Sequence, residues 1–192
     1  MKTESRENKA PIGQLKTISS WVSSVQDLDK LLHLIIESAK NIVGAEAASL
    51  LLLDSKTETL YFKVATGVKG DAVKEFRVKV GEGIAGHVAR TGKPVVISDA
   101  QKDPRWNRKI SDRVQFETRS MACVPLTIEK ETIGVIQVIN KKGETEFTGN
   151  DMTLLDEFSG LAAVAIGSAK NLEQVRRENR NLKKELGERH QI

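Results

Sequence analysis

The 192-residue sequence predicts an α+β protein built around a largely antiparallel sheet, with a helical extension at each end. Three observations support this prediction. Several strand-like segments follow one another with short turns between them, which favours hairpins over crossover connections. Amphipathic helical patterns precede and follow these segments. Toward the C-terminus the apolar spacing narrows to heptads, which is typical of a coiled coil.

The N-terminal region divides into a tail, a narrow helix and a wider helix. Residues 1–13 are polar, and we expect a disordered tail. Residues 14–26 carry one narrow apolar stripe at three- and four-residue spacing, which predicts a dimerisation helix. Asp27 is interpreted as a cap that restarts the helix. The face from Leu28 to Ile42 is broader, as expected for a helix that packs on a core, and Gly44 ends it.

The middle of the chain contains the strand-like segments and one short helix. The predicted strands are Ala48–Asp54, Thr59–Ala65, Phe76–Val80, Pro94–Ser98, Met121–Ile128 and Thr132–Ile139. Gly83–Thr91 has the pattern of a short helix. Residues 99–117 show no clear periodicity apart from a possible helical turn at Ser111–Phe116, so we expect a long surface loop there.

A single long helix is predicted from Asn150 to Gln191. Its first half has a wide apolar face, and a heptad pattern that starts at Leu161, Ala165 and Ser168 continues into residues 171–192. The dimer seam is assigned to Leu172, Val175, Asn179, Leu182 and Leu186, with mostly charged residues between them. An asparagine among leucines favours a parallel, in-register dimer. The alternative is an amphipathic helix that folds back on its own domain.

The segment Gly81–Gly86 matches G-x-G-x-x-G, the dinucleotide-binding pattern. The following helix is too short for the usual crossover, and the neighbouring strands look like hairpins. Arg77 and Lys79 in the preceding strand also disfavour a buried parallel strand. We therefore disfavour dinucleotide binding.

The same glycines permit an anion site at the start of the short helix. A helix N-terminus presents unpaired N–H groups, here those of Gly83, Ile84 and Ala85. The alternative is that the glycines only form a tight turn between strand and helix. The sequence leaves both interpretations open.

The long loop from Ser98 to Lys109 is a second candidate binding element. Trp106 could stack on a flat ligand, and Asp99 or Asp112 could accept a hydrogen bond from a base edge. The alternative is that Trp106 anchors a surface loop into the core.

The region from Leu28 to Ala169 resembles a GAF domain, so the domain is placed at residues 27–170. It is most similar to the cyclic-nucleotide-binding GAF domains of phosphodiesterases and adenylyl cyclases. Those domains carry an N-K-x(n)-F-x(3)-D-E motif, matched here by Asn140, Lys141, Phe147 and Asp151. Met152 stands where the family has glutamate.

The resemblance implies a GAF-like sheet with helices on one face, a lid layer on the other, and a ligand pocket beneath the lid. It implies that the backbone of Ile84 and Ala85 holds a phosphate and that Asp99 and Ala100 lie near a base. The lid side would be formed by Asp112, Phe116 and Thr118. Lys141 and Asp151 would form an ion pair beside the pocket without touching the ligand.

The chemical inventory argues against catalysis. The one cysteine, Cys123, lies in an apolar run and excludes an intramolecular disulfide or a cysteine metal cluster. His33, His87 and His190 are far apart, so neither a metal site nor a nucleophile–base pair is predicted. GAF-type methionine sulfoxide reductases need several cysteines. We therefore expect no enzymatic activity.

The expected function is a small-molecule-sensing regulatory homodimer in signal transduction, with a cyclic nucleotide as the candidate ligand and a downstream signalling protein as partner. The alternative is a ligand-free dimerisation or adaptor module whose pocket is filled by side chains. The net charge of +4 is too mild to predict nucleic-acid binding. Without a signal peptide or an apolar run of about 20 residues, we expect a cytoplasmic protein that does not span a membrane.

Overall fold

The computed structural model describes residues 25–143 and 146–189. The predicted tail at 1–13 and nearly all of the predicted dimerisation helix at 14–26 lie outside these residues. The elements in chain order are α1 (Val25–Ile42), β1 (Ala45–Asp54), β2 (Thr59–Thr66), α2 (Gly70–Val73), β3 (Arg77–Lys79), α3 (Gly83–Thr91), β4 (Val95–Ile97), α4 (Lys109–Val114), β5 (Met121–Ile128), β6 (Glu131–Lys141) and α5 (Gly149–Arg189).

The six strands form one sheet in the order β3-β2-β1-β6-β5-β4, and every neighbouring pair is antiparallel. This confirms the α+β prediction. It also removes the dinucleotide interpretation of the glycine motif, because that fold requires parallel strands with crossover helices.

Each face of the sheet carries its own apolar cluster. On one face α1 and α5 pack against the sheet, and their contact is centred on fully buried side chains such as Leu32, Ile36 and Leu155. On the other face α3 and the segment before β5 cover a second cluster that includes Leu60, Val88 and Cys123. Helices therefore cover one face and a lid layer covers the other, as the resemblance implied.

Several element boundaries differ from prediction for identifiable reasons. β1 begins at Ala45, before the predicted start, because Ala45 pairs with Lys141 of β6. Asp27 lies inside α1, so it does not restart the helix. The sequence analysis did not predict α2, which is only four residues long. Gly44 ends α1 as predicted, with a left-handed φ of +63° that glycine adopts without strain.

Helix α5 changes character along its length. Leu155, Ala162 and Ile166 are buried against the sheet and α1, whereas Val175 and Leu182 are 52% and 56% exposed. The C-terminal half therefore does not fold back on its own domain. Ala165 is only 5% exposed because it packs in the protomer's own core, so the extension of the seam back to Ala165 is wrong.

Among the described residues, α5 is also a helix that is long and apolar enough to cross a membrane, by length and composition alone. Core helices of soluble proteins pass the same test. In α5 the first half packs on the sheet and α1, and 28% of the apolar stretch is buried.

Candidate functional site

A cavity of about 530 Å³ lies between the sheet and the layer formed by α2, α3 and the lid, our name for residues 99–116. Strands β1, β2, β5 and β6 form its floor. Helices α2, α3 and α4 and strand β3 form its rim. Pockets for small molecules typically measure roughly 300–1,000 Å³, so the volume suits a ligand of nucleotide size.

The first turn of α3 opens into this cavity. Gly83, Ile84 and Ala85 line it, and within the described residues their N–H groups have no hydrogen-bond acceptor. Gly86 is required here, because a Cβ at that position would lie 2.3 Å from the carbonyl oxygen of Lys79. The turn closes through the N–H of Gly81, which donates to the Gly86 carbonyl at 2.8 Å. Three free N–H groups at the positive end of a helix can bind an anion.

The charged side chains around the cavity are mainly basic. The cavity is lined by Lys69, Arg77, Lys79, Lys109 and Arg113, with Glu82 as the one lining carboxylate among the described residues. Lys109 Nζ lies 3.4 Å from Glu82 Oε1. An excess of positive charge around a cleft raises the local concentration of anions and favours their binding.

The floor of the cavity carries buried polar groups within otherwise apolar strands. Ser49 and Gln137 lie directly opposite each other on β1 and β6, and Gln137 Nε2 donates to Ser49 Oγ at 3.0 Å. Thr66 and Thr118 are also buried and line the cavity. A small number of polar groups in an apolar pocket fixes a ligand's orientation. Ser49 and Gln137 are not among the site residues predicted from the sequence; the available signal was a lone polar residue inside each strand's apolar run.

Trp106 forms part of the lid side. Its ring lines the cavity and packs against the apolar cluster beneath the lid, so it anchors the lid as the alternative interpretation expected, and its stacking on a ligand stays a prediction. Its Nε1 atom is buried and has no hydrogen-bond partner within the described residues. A buried donor without an acceptor is costly.

Of the residues predicted to contact ligand, five line the cavity: Ile84, Ala85, Trp106, Phe116 and Thr118. The other three, Asp99, Ala100 and Asp112, lie outside its lining. They lie in the lid segment, where each is held by local contacts or by burial instead of facing the cavity.

Each of these three residues has a local role in the lid. Asp99 caps a 3₁₀ turn at Ala100–Lys102 by accepting from the Gln101 N–H at 3.1 Å. The hydrogen bond from Lys102 holds the pKa of Asp99 below its ordinary value. Ala100 is buried and donates its N–H to the Arg119 carbonyl at 2.7 Å. The Asp112 carboxylate is exposed and lies 3.9 Å from Arg108.

The lid is attached to α3 through Glu82, the residue that precedes the helix. Asn107 Nδ2 donates to Glu82 Oε1 at 2.7 Å. Within the lid, Arg105 makes a two-point contact with Asp103 at 2.9 and 2.7 Å, which holds the pKa of Asp103 below its ordinary value. The lid is therefore an ordered layer that closes over the N–H groups of α3.

Asn140 attaches the end of the lid segment to the sheet. It is 1% exposed and has a left-handed φ of +60°. Its Oδ1 accepts from the N–H of Arg119 at 2.7 Å, and its Nδ2 donates to the Glu117 carbonyl at 2.8 Å. These bonds lie on both sides of Thr118, so Asn140 positions a residue of the cavity wall.

The ion pair predicted between Lys141 and Asp151, which belong to the same sequence motif as Asn140, is present. Lys141 Nζ lies 3.0 and 2.9 Å from the two carboxylate oxygens of Asp151 and 2.9 Å from the Val43 carbonyl. Neither Lys141 nor Asp151 lines the cavity. Met152 is partly buried and packs against the α1–α5 core, so its departure from the family motif does not alter the cavity lining.

Cys123, His33 and His87 lie outside the lining of the main cavity. Cys123 is completely buried on β5, and burial raises the pKa of its thiol well above the ordinary value. Among the described residues, no group of three or more His, Cys, Asp or Glu side chains could hold a metal ion.

An antiparallel sheet with helices on one face and a lidded cavity on the other forms an α+β domain with a cavity of ligand size. The family model described as a GAF domain matches residues 25–167. The chain belongs to the GAF domain family.

A probable 3',5'-cyclic phosphodiesterase, pde-5, of Caenorhabditis elegans is 31% identical over 172 residues, an alignment that covers 85% of this chain. The chain spans only 24% of that protein's length.

Solved structures share the fold at lower identity. The GAF domain from a phosphoenolpyruvate-protein phosphotransferase of Coxiella burnetii matches with a TM-score of 0.71 at 20% identity, covering 85% of this chain and 96% of that one. A free methionine-R-sulfoxide reductase from Neisseria meningitidis, in complex with its substrate, matches with a TM-score of 0.66 at 21% identity, covering 90% and 98%. The fold thus serves regulatory domains and also enzymes.

Proposed function

We propose that this chain is a small-molecule-sensing regulatory module that binds a cyclic nucleotide in the cavity under the lid and acts as a parallel dimer. The observation that carries the proposal is the first turn of α3. Three N–H groups that have no acceptor among the described residues belong to residues lining a cavity whose rim is mainly basic. In the proposal the module has no catalytic activity of its own, lies in the cytoplasm, and is read by a downstream signalling partner.

The cavity chemistry suits each part of a cyclic nucleotide. The cyclic phosphate carries one negative charge, which the N–H groups of Ile84 and Ala85 would stabilise. The flat base would contact apolar and aromatic walls such as Phe62 and Trp106. Thr118 and the Ser49–Gln137 pair would supply hydrogen bonds to the sugar or base edge. The name of the nematode relative, a probable 3',5'-cyclic phosphodiesterase, supports this ligand class.

The ligand-free alternative requires a pocket filled by the protein's own side chains. The side chains that line this cavity instead leave about 530 Å³ open. The floor also holds a buried polar pair, Ser49 and Gln137, among apolar side chains, as expected of a site that orients a ligand. Both observations favour a binding module.

Strand β6 connects the floor of the cavity to helix α5, which carries the proposed dimer seam. This strand carries Gln137 and Ile139 in the cavity floor and ends at Lys141, which pairs with Asp151 in the first turn of α5. Helix α5 then continues without a break into the exposed seam. A shift of the floor on binding would move the seam helices as a rigid unit. Signalling requires that the ligand bind two arrangements of the dimer with different affinity.

Calorimetry against cyclic AMP, cyclic GMP and a metabolite panel tests the ligand, together with a mass spectrum of small molecules released from the purified protein. We expect saturable binding that Gln137→Leu weakens by about tenfold, because a hydrogen bond in the floor is lost. Gln174→Leu, on the exposed half of α5, is the matched control and should bind as the parent does. Absence of heat and of thermal stabilisation at millimolar ligand would remove the proposal.

A further inference from the structure

A second, more open cleft of about 490 Å³ lies on the outer side of α3. It shares Glu82, Gly83, Trp106 and Asn107 with the main cavity, so these residues form a common wall. The remaining lining residues belong to the outer cleft alone: Gly81, His87, Arg90, Pro104, Arg105 and Arg108. The outer cleft therefore has its own chemical character.

Positively charged side chains predominate in the outer cleft, and one of its three guanidinium groups has no ion-pair or hydrogen-bond partner within the described residues. Arg105 pairs with Asp103, and Arg108 Nη2 donates to Gln101 Oε1. Arg90 makes no ion pair or hydrogen bond within the part of the chain that the structure describes. A guanidinium is a planar fork of donors that matches the oxygens of a phosphate or carboxylate.

The Arg90 guanidinium is held at the cleft by the glycine turn. A Cβ at Gly81 would lie 2.7 Å from Arg90 Nη1 and 3.1 Å from Arg90 Cζ. The side chain thus occupies the space that any other residue at position 81 would fill. The Gly81 φ of +87° also favours glycine at this position. Gly81 therefore adopts the backbone angle of the turn and also leaves room for the Arg90 side chain.

The wall shared by the two cavities is formed in part by Trp106. Trp106 lines both cavities, and its buried Nε1 has no acceptor within the described residues. His87 adds an imidazole ring on the α3 side of the cleft. Within the described residues, the cleft therefore combines one unpaired guanidinium, that of Arg90, with the rings of Trp106 and His87.

We propose that this outer cleft is a second ligand site that binds a small oxyanion of the phosphate type, either free or as a phosphate monoester, with Arg90 as its principal binding residue. The proposal is independent of the cyclic nucleotide assigned to the main cavity. Because Glu82 and Asn107 belong to the shared wall, an anion in the outer cleft lies beside the contact that attaches the lid to α3.

The test is a titration of the full ¹⁵N-labelled chain with inorganic phosphate, followed by NMR in a phosphate-free buffer. The indole signal of Trp106 is assigned by its loss in Trp106→Phe, since Trp21 is the only other tryptophan. We expect saturable shifts of the Trp106 indole and the Arg90 side-chain N–H signals. Sodium chloride at equal ionic strength should not reproduce them. A parallel titration with methyl phosphate distinguishes a site for monoesters, which would bind tighter, from a site for the free anion.

Two variants locate the anion. Arg90 is exposed, so Arg90→Ala should fold normally and should weaken phosphate binding, measured on the Trp106 signal, by about tenfold or more. Arg113→Ala removes a charge that lines only the main cavity and should leave the shifts unchanged. Absent shifts, shifts reproduced by chloride, shifts that survive Arg90→Ala, or shifts lost in Arg113→Ala would each overturn the proposal.

Discussion

Lys141 Nζ lies 2.9 Å from Asp151 Oδ2, and this contact joins the last residue of β6 to the first turn of α5. The two side chains are 15% and 8% exposed. The same ammonium group donates to the Val43 carbonyl just beyond α1, so one cation joins three elements. Thr148 completes the junction by donating its N–H and its hydroxyl to Asp151. The sheet that carries the cavity floor is thereby connected to the helix that carries the seam.

Asp151→Asn should lower the free energy of unfolding by about 3 kcal/mol, because it leaves the buried Lys141 ammonium without a counter-charge. Urea denaturation measures the change. Asp156→Asn lies on the exposed side of the same helix and should alter stability by less than about 0.5 kcal/mol. Equal losses in the two variants would show that the ion pair has no special role.

The stability of the protein should fall in acid, with Asp151 as one contributor. Burial raises the pKa of Asp151, but hydrogen bonds from Lys141 and Thr148 outweigh it and hold the pKa below the ordinary value. A group with a lowered folded-state pKa contributes its full stabilisation above the unfolded value, about 3.9 for aspartate, and loses it as the pH falls through the folded value. Urea midpoints measured from neutral pH downward should show this loss, and it should be smaller in Asp151→Asn.

Glu82→Gln should raise the affinity of the main cavity for a cyclic nucleotide by about fivefold. The glutamine keeps an acceptor for Asn107 but removes the carboxylate that stands beside the α3 N–H groups and would repel a phosphate. Calorimetry at low and high salt measures the change, which should shrink as salt screens the charge. Glu75→Gln, outside the cavity lining, is the control. Weaker binding in Glu82→Gln would instead mean that this carboxylate accepts a hydrogen bond from the ligand.

Trp106→Phe should stabilise the empty protein by about 1 kcal/mol, because it removes a buried N–H that has no acceptor while keeping most of the ring packing. Trp106→Ala should destabilise it by about 2–3 kcal/mol through lost packing. Thermal melting of the two variants without ligand separates these effects. A loss of stability in Trp106→Phe would show that a water molecule or a ligand already satisfies the indole.

Leu182→Glu should convert the proposed parallel dimer to a monomer, because a charge would replace a leucine that is 56% exposed on the protomer and that the seam would bury. Gln174→Glu introduces the same side chain off the seam and should leave the dimer intact. Asn179→Leu should raise thermal stability and loosen the choice of oligomer. Sedimentation velocity over a range of concentrations measures all three variants. A parent chain that sediments as a compact monomer would contradict the seam itself.

Local sequence patterns were sufficient to predict the strands, the main helices and the contacts that follow directly from them. Alternating or continuous apolar runs located the six strands of the sheet, because side-chain burial follows the period of the backbone. The glycines of the 81–86 turn predicted the helix start, since few other residues adopt its backbone angles. The resemblance to a GAF domain led correctly to the Lys141–Asp151 pair.

Tertiary structure alone decided which side chains share a space. Ser49 and Gln137 are distant in sequence, and only the register of β1 against β6 brings them together in the cavity floor. Asp99 and Asp112 lie within the lid segment but point their carboxylates into local contacts outside the cavity lining. Ala165 fits a heptad but is used by the protomer's own core. Spacing along the chain determines the face on which a residue lies, whereas the packing of distant segments determines what that face meets.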